Sequence, residues 1–141
     1  MANDMNDFAR SMGIATSGLR AQAGRMRVIS ENIANADSTA PSAGGDPYRR
    51  KIPSFTSELD RTLDAKVVGL GKIRPDQSAF RVKHDPGNPA ADAAGNVKYP
   101  NVNPLVEMTD MREAQRSYEA NLNIISATRR MIQRTLDILK A

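Results

Sequence analysis

Few residues in this chain of 141 have the type and spacing that chemistry requires. The one histidine, His84, stands beside a turn, and the chain has no cysteine that could join it in a metal site. Gly69 and Gly71 match the start of a dinucleotide-binding fingerprint, but Arg74 replaces its third glycine. We therefore predict no metal, no cofactor, a solvated histidine, and glycines that merely interrupt a strand.

Three carboxylates, Glu107, Asp110 and Glu113, fall at neighbouring positions of a predicted helix. Paired carboxylates can serve as general acid and base, but these alternate with Arg112 and Arg116 at the spacing that forms ion pairs along a helix. Aromatic residues make up only 4% of the chain, which leaves little material for the apolar pocket that most active sites need. The carboxylates are therefore predicted to form a salt-bridged outer face, and the chain to have no catalytic residue.

The net charge is +4 and the pI is about 9.7, yet the basic excess is spread evenly along the chain. A nucleic-acid-binding protein usually concentrates its positive charge on one face, so a mixed solvated surface is the better interpretation. Residues 1–7 are polar and acidic, unlike a Sec signal peptide, and no stretch approaches the roughly 20 apolar residues of a membrane span. These features predict a protein that stays in the cytoplasm or is exported without cleavage.

Two long stretches, residues 8–36 and 104–141, carry apolar residues at alternating steps of three and four. This spacing is typical of a helix that packs against another helix through a narrow seam. The second helix is predicted to begin with Asn103 as its cap and Pro104 as its first residue. The predicted seam consists of Phe8, Met12, Ala15, Leu19, Met26, Ile29, Ile33 and Ala36 in the first helix, and of Met108, Met111, Tyr118, Leu122, Ile125, Ile132, Leu136 and Leu139 in the second.

Between the helices, turn-forming residues separate short segments with the composition of strands. Residues 38–46 form a predicted loop, and residues 48–55 an irregular or edge strand because Pro53 interrupts it. Residues 56–63 are expected to form a short helical turn or a loop. Residues 65–73 and 78–83 are predicted to pair as a hairpin across a turn at 74–77.

The predicted fold is mainly α with a small β insert. Long N- and C-terminal helices pack as a discontinuous coiled coil around a middle segment that contains a β-hairpin. This divides the chain into an N-terminal helix (1–37), a loop and β-rich middle segment (38–103) and a C-terminal helix (104–141).

Further apolar residues flank the seam and widen it beyond what one partner helix can cover. They are Ile14, Val28, Ile124, Met131 and Ile138. Such a chain would find its remaining neighbours in copies or relatives of itself, as the subunit of a polymer does. The alternatives are a closed helical hairpin that serves as an adaptor or export chaperone, and a basic nucleic-acid-binding protein.

Several motifs resemble those of the bacterial flagellar axial proteins, the family of rod, hook and hook-associated subunits. The N-terminal signature comprises residues 17–22, Arg25, Met26, Ile29 and residues 30–37. A rod subunit is indicated by residues 45–51, 98–103, 107–111 and 118–121. Together these motifs extend over almost the whole chain.

The resemblance implies a structural subunit of the proximal rod, exported unfolded through the flagellar type III apparatus without a cleaved signal peptide. It implies terminal helices that form the inner tube, a middle segment outside them, and transmission of motor torque to the hook. The implied partners are copies of the chain, other rod proteins, and adaptor proteins at the rod base on the side of the MS ring and export gate, with neither nucleic acid nor a membrane span. Asn32 and Asn35 match the Asn-rich helix end of the family, where their amides are expected to bind backbone groups of the turn.

Overall fold

The computed structural model describes residues 2–140, with the side chains of residues 6–140; Met1 and Ala141, which belong to the predicted terminal segments, lie outside the described residues. Two long helices flank the middle of the chain: α1, Ala2–Ala34, and α2, Pro104–Lys140. Asn103 caps α2, since its Oδ1 accepts the N–H of Leu105 at 3.1 Å. The prediction of two long helices around a small strand-containing segment is confirmed, although α1 begins before residue 8.

The turn that follows α1 is held by Arg81, which lies far away in sequence. Its Nη2 donates to the carbonyl of Ala36 at 2.7 Å, and its Nε donates to the carbonyl of Pro100 at 3.0 Å. A cation beside the carboxyl end of a helix also suits the helix dipole. Arg81 thus ties the end of α1 to the segment that leads into α2.

Six short strands occupy the middle segment, and they pair as three antiparallel couples. The first couple is β1, Lys51–Ile52, with β4, Arg74–Pro75. The second is β2, Phe55–Asp60, with β3, Ala65–Leu70. The third is β5, Arg81–His84, with β6, Asn96–Tyr99.

The predicted pairing of residues 65–73 with 78–83 is wrong, because β3 pairs with β2 and β5 pairs with β6. The expected turn at 74–77 does not close a hairpin, since the N–H of Asp76 donates to the carbonyl of Arg50 at 2.8 Å. The expected turn or loop at 56–63 is also wrong over 56–60, which is strand. The tight turn comes next, where Oδ1 of Asp60 accepts the N–H of Thr62 at 2.8 Å and Asp64 takes a φ of 47°.

The chain forms two compact units, and the first consists of residues 2–26, Ser54–Lys72 and 113–140. In this unit the β2–β3 hairpin rests on α1: Arg10 Nε donates to the carbonyl of Leu63 at 2.8 Å, and the N–H of Val68 donates to Ser17 Oγ at 3.2 Å. The side chains of Leu63 and Leu70 pack against Gly13 and Gly24 of α1. A Cβ at either glycine would overlap the leucine side chain.

The two helices run antiparallel within the first unit. Arg25 pairs with Glu113 at 3.7 Å, and Gly18 lies against the side-chain amide of Asn121. Later residues of α1 therefore lie beside earlier residues of α2.

The second unit consists of Arg27–Pro53 and Ile73–Arg112. Its buried apolar residues are mostly small or branched: Val28, Ile29, Ala36, Ala40, Ala90, Val97 and Val102. Two polar side chains are buried with them, Asn32 and Glu107. Because burial of a polar group is unfavourable without a partner, these two residues define where the specific contacts of the unit must be sought.

Residues 54–72 leave and rejoin the chain at adjacent points. Ser54 Oγ donates to the carbonyl of Lys72 at 2.8 Å, and the N–H of Gly71 donates to the carbonyl of Ser54 at 2.7 Å. The base of this excursion is thus closed by hydrogen bonds between its own two ends.

Candidate functional site: a buried polar network and the helix faces

Asn32 is the centre of a hydrogen-bond network in the second unit, and its side chain is completely buried. Its Oδ1 accepts the N–H of Lys51 at 2.9 Å and the hydroxyl of Tyr48 at 2.8 Å. Its Nδ2 donates to the carbonyl of Lys51 at 2.9 Å and to Oε2 of Glu107 at 3.0 Å. Both donors and both lone pairs of the amide are therefore used.

Glu107 lies in the first turns of α2 and is only 1% exposed. Arg50 Nε donates to its Oε1 at 2.6 Å, so each carboxylate oxygen has its own partner. The predicted outer face of three carboxylates is therefore wrong for Glu107, while Glu113 does lie at the surface. Hydropathy places every glutamate outside, so periodicity offers no signal for a carboxylate that is buried against an arginine.

Arg50 is surrounded by further carboxylates. Asp76 Oδ2 lies 3.5 Å from Nη1, and Asp110 Oδ2 lies 3.8 Å from Nη2. Burial alone would lower the pKa of Arg50, but the hydrogen bond to Glu107 and the charges of Glu107 and Asp76 leave that pKa raised. Hydrogen bonds from the Ser78 backbone and hydroxyl, together with Arg50, lower the pKa of Asp76.

The residues beside Arg50 bind other parts of the same unit. Arg49 stacks over the ring of Phe80 at 4.2 Å and donates to the carbonyl of Asp76 at 3.0 Å. Lys51 pairs with Glu31 of α1. Burial, followed by the carboxylates of Glu31 and Glu107, raises the pKa of Tyr48 to about 12. Residues 48–51 therefore contact both helices and the segment 76–80.

Asn35 has a local role in the structure. Its Nδ2 donates to the carbonyl of Glu31 at 2.8 Å, one turn back in α1. Its own carbonyl accepts the hydroxyl of Ser38 at 2.9 Å. Of the two asparagines expected at the helix-end turn, Asn35 thus binds the helix backbone, whereas Asn32 binds a strand residue 19 positions away.

The predicted seam of α1 lies at buried or half-buried positions. Ala15 and Ile29 are buried, as is Ala36 just after the helix. The half-buried members are Phe8, Met12, Leu19, Met26 and Ile33. The polar member of the seam, Gln22, carries a buried Oε1 that has no hydrogen-bond partner among the described residues.

The buried face of α2 is turned by one residue from the predicted seam. Four predicted members are half-buried: Met111, Tyr118, Ile125 and Ile132. Between them the inward positions belong to Glu107, Ala114, Asn121 and Thr128, and not to Met108, Gln115, Leu122 and Arg129. Small or polar residues thus alternate on the inward side with the four half-buried members of the predicted seam, and the other large apolar residues of α2 face outward.

The outward apolar residues of α2 are large and numerous. Leu122 is 47% exposed and Ile138 is 76% exposed. The others between residues 113 and 140 are Ile124, Met131, Leu136 and Leu139. An apolar surface of this kind marks a protein interaction site more often than a solvated face.

Chemically active groups do not converge in the described part of the chain. Among those residues, no three His, Asp or Glu side chains are placed to hold a metal ion. A cavity of about 520 Å³ between α1 and the β2–β3 hairpin is lined by apolar residues of both elements and by five polar ones: Thr16, Ser17, Arg20, Glu58 and Asp60. Neither described helix has an apolar segment long enough to cross a membrane.

Comparison with known proteins matches both ends of the chain to flagellar families. Residues 12–40 match the family "Flagella basal body rod protein", and residues 93–138 match "Flagellar basal body rod FlgEFG protein C-terminal". Neither family is a class of enzymes.

Whole-length relatives share one name, flagellar basal-body rod protein FlgC. The chain is 52% identical over 137 residues to the protein of Agrobacterium fabrum, which covers 97% of this chain and 99% of the relative. It is 40% identical to the protein of Bacillus subtilis, over 92% of this chain and 97% of the relative. It is 38% identical to the protein of Salmonella typhimurium, over 89% and 92% respectively. The chain therefore belongs to the FlgC family of flagellar basal-body rod proteins, which are structural subunits.

Proposed function

We propose that the chain polymerises through its terminal helices, with copies of itself and with other rod proteins, and that the resulting rod transmits motor torque. The observation that carries this proposal is the outward apolar face of α2 between residues 113 and 140. Six large apolar side chains on one helix exceed what a solvated face usually exposes. Neighbouring subunits would cover them.

The packing proposed for the assembled subunit is a discontinuous coiled coil. Residues 1–37 and 104–141 supply the two halves of an inner tube, and residues 38–103 pack outside it. The support is the alternation of three and four along both helices and their antiparallel contacts at 25–113 and 18–121. Small residues on the inner faces, such as Ala15, Gly18 and Ala114, allow the two backbones to approach closely.

The proposed location is the part of the rod that crosses the periplasm, reached by type III export without cleavage of a signal peptide. The whole-length FlgC relatives, which are named as basal-body rod proteins, support this location. The proposed neighbours at the base are adaptor proteins on the side of the MS ring and export gate. Many of the cations are paired within the chain, including Arg25, Arg50 and Lys98, which favours protein partners over nucleic acid.

The substitution Leu122→Glu tests the proposal in cells that lack their own copy of the gene. A charge in the outward apolar face should block assembly, so the subunit is expressed, motility is lost, and isolated basal bodies lack the protein. Asn123→Glu is the matched control, since it adds the same charge at the adjacent exposed polar position. Normal swimming of the Leu122→Glu strain would contradict the proposed interface.

A further inference from the structure

We propose that residues 48–51 form a clamp that keeps the end of α1 and the start of α2 folded in the free subunit, before any neighbour is present. This inference rests on the proposed function, because it divides each helix into a part that the chain orders by itself and a part that assembly orders.

Four consecutive side chains build the clamp. Tyr48 donates to Asn32 of α1 at 2.8 Å, and Arg50 donates to Glu107 of α2 at 2.6 Å. Lys51 reaches α1 again through Glu31 and pairs its backbone with the Asn32 amide. Arg49 donates to the backbone carbonyl of Asp76 at 3.0 Å. The clamp therefore joins the two helices to a third, independent segment of the second unit.

The contact between the two helices at this point is favourable only while the clamp is closed. Asn32 is 0% exposed and Glu107 is 1% exposed, and they share one hydrogen bond of 3.0 Å. Without the clamp, Oδ1 of Asn32 loses both of its donors, and the Glu107 carboxylate becomes a buried charge without its arginine. Both losses are strongly unfavourable, so the helix ends and the clamp should order together or not at all.

Residues 113–140 of α2 have no comparable network of buried hydrogen bonds. Within this range only Ala114 and Thr128 are fully buried; Tyr118, Ile125 and Ile132 are half-buried, and the six large apolar side chains named above are exposed. On α1, the same unit contains the Gln22 Oε1 that is buried without a partner among the described residues. A helix pair whose larger apolar side chains are at most half-buried, and which contains an unpaired polar atom, is marginal in water. We therefore place the boundary of order in the free chain near residue 112 of α2, with residues 28–34 as the ordered part of α1.

Hydrogen exchange on the purified full-length chain, held dilute enough to be monomeric, tests this boundary. Amides of residues 28–34 and 108–112 should exchange at least about tenfold more slowly than those of residues 120–136, because only the former need the clamp to open. Arg50→Met should abolish the difference, and Glu107→Gln, which keeps the shape of the side chain, should reduce it. Lys98→Met is the matched control: it removes another cation of the same unit, one that pairs at the surface with Asp46.

The possible results separate the clamp from the proposed function. Fast exchange at 108–112 in the unaltered chain, or unchanged protection in Arg50→Met, would overturn the clamp and leave assembly through the helices standing. Slow exchange along the whole of both helices in the monomer would overturn assembly-coupled ordering itself. Loss of protection in Arg50→Met that extends equally to the β5–β6 hairpin of the same unit would show a general loss of that unit's fold and would also count against a local clamp.

Discussion

At the scale of single residues, the side-chain amide of Asn32 takes the place of a peptide group in a neighbouring strand. It accepts the N–H of Lys51 and donates to the carbonyl of Lys51, which is the pattern of an antiparallel strand neighbour. A helix cannot offer its own peptide groups in this way, since they are used along its axis. The amide of one residue therefore lets the end of α1 pair with β1.

The two asparagines near the end of α1 should differ sharply on replacement. Asn32→Ala removes all four hydrogen bonds of a fully buried amide, and we expect it to lower the free energy of unfolding by about 3 kcal/mol. Asn35→Ala removes one bond at the half-buried helix end and should cost about 1 kcal/mol or less. Urea denaturation of both variants measures the difference. Equal losses would show that the buried network adds nothing specific.

The raised pKa of Tyr48 predicts how stability depends on alkaline pH. In the unfolded chain this hydroxyl has an ordinary pKa of 10.0, and in the folded chain burial and the nearby carboxylates raise its pKa to about 12. Its contribution to stability is therefore complete below pH 10 and is lost as the pH rises towards 12. Titration followed by tyrosinate absorbance should show a late step that Tyr48→Phe removes. A chain whose last phenol ionises near pH 10 would contradict the assigned environment.

At the scale of elements, α2 is organised by side-chain size as much as by hydropathy. Ala114, Asn121 and Thr128 occupy inward positions that the apolar pattern assigned to Gln115, Leu122 and Arg129. α1 contributes the small buried residues Ala15, Gly18 and Ala21, and Gly18 lies against the Asn121 amide. Where two helix backbones approach this closely, only small or slender side chains fit between them. Which face of α2 is buried therefore depends on the sizes of side chains on both helices.

The close approach of Gly18 to Asn121 gives a paired test. A Cβ at residue 18 would lie 2.7–2.9 Å from the atoms of the Asn121 amide, which is itself held by the carbonyl of Ser117. Gly18→Ala should therefore weaken the helix pair despite a gain of about 1 kcal/mol in helix propensity. In the Asn121→Ala background the same substitution should strengthen it, because the space is free.

The urea concentration that releases the subunit from isolated basal bodies reports the strength of this helix pair. It should fall for Gly18→Ala alone and rise when Gly18→Ala is added to Asn121→Ala. The same direction of change in both backgrounds would show that the two residues are not in contact in the assembled subunit.

The elements differ in how far the sequence determines them. Both helices follow from local signals, namely the apolar spacing and the Asn103-Pro104 cap, and they were predicted with small errors at the ends. The strand pairing was predicted wrongly, for two reasons. The partner of β5 lies beyond the loop 85–95, and the N–H of Asp76 binds the carbonyl of Arg50 instead of closing a turn. The buried network escaped prediction for a similar reason. Asn32 and Glu107 find partners only when distant segments meet.

At the scale of the whole molecule, the proposed export route makes a prediction about the chain end. The subunit recovered from isolated basal bodies should retain residues 1–7, because export without cleavage removes no leader. Mass spectrometry of its N-terminal peptide measures this, with a periplasmic protein that carries a Sec signal as the control from the same cells. A subunit that begins well inside α1 would refute uncleaved export.

The closed base of the excursion 54–72 has a consequence for the evolution and engineering of this fold. Since Ser54 already binds Lys72 and Gly71, closure of the two ends of this segment does not depend on how many residues lie at its tip. Natural variants should lengthen or shorten the hairpin at its exposed tip, near Arg61 and Thr62, without altering the segments on either side. The same tip is the place where a short epitope could be inserted to locate this subunit within a basal body.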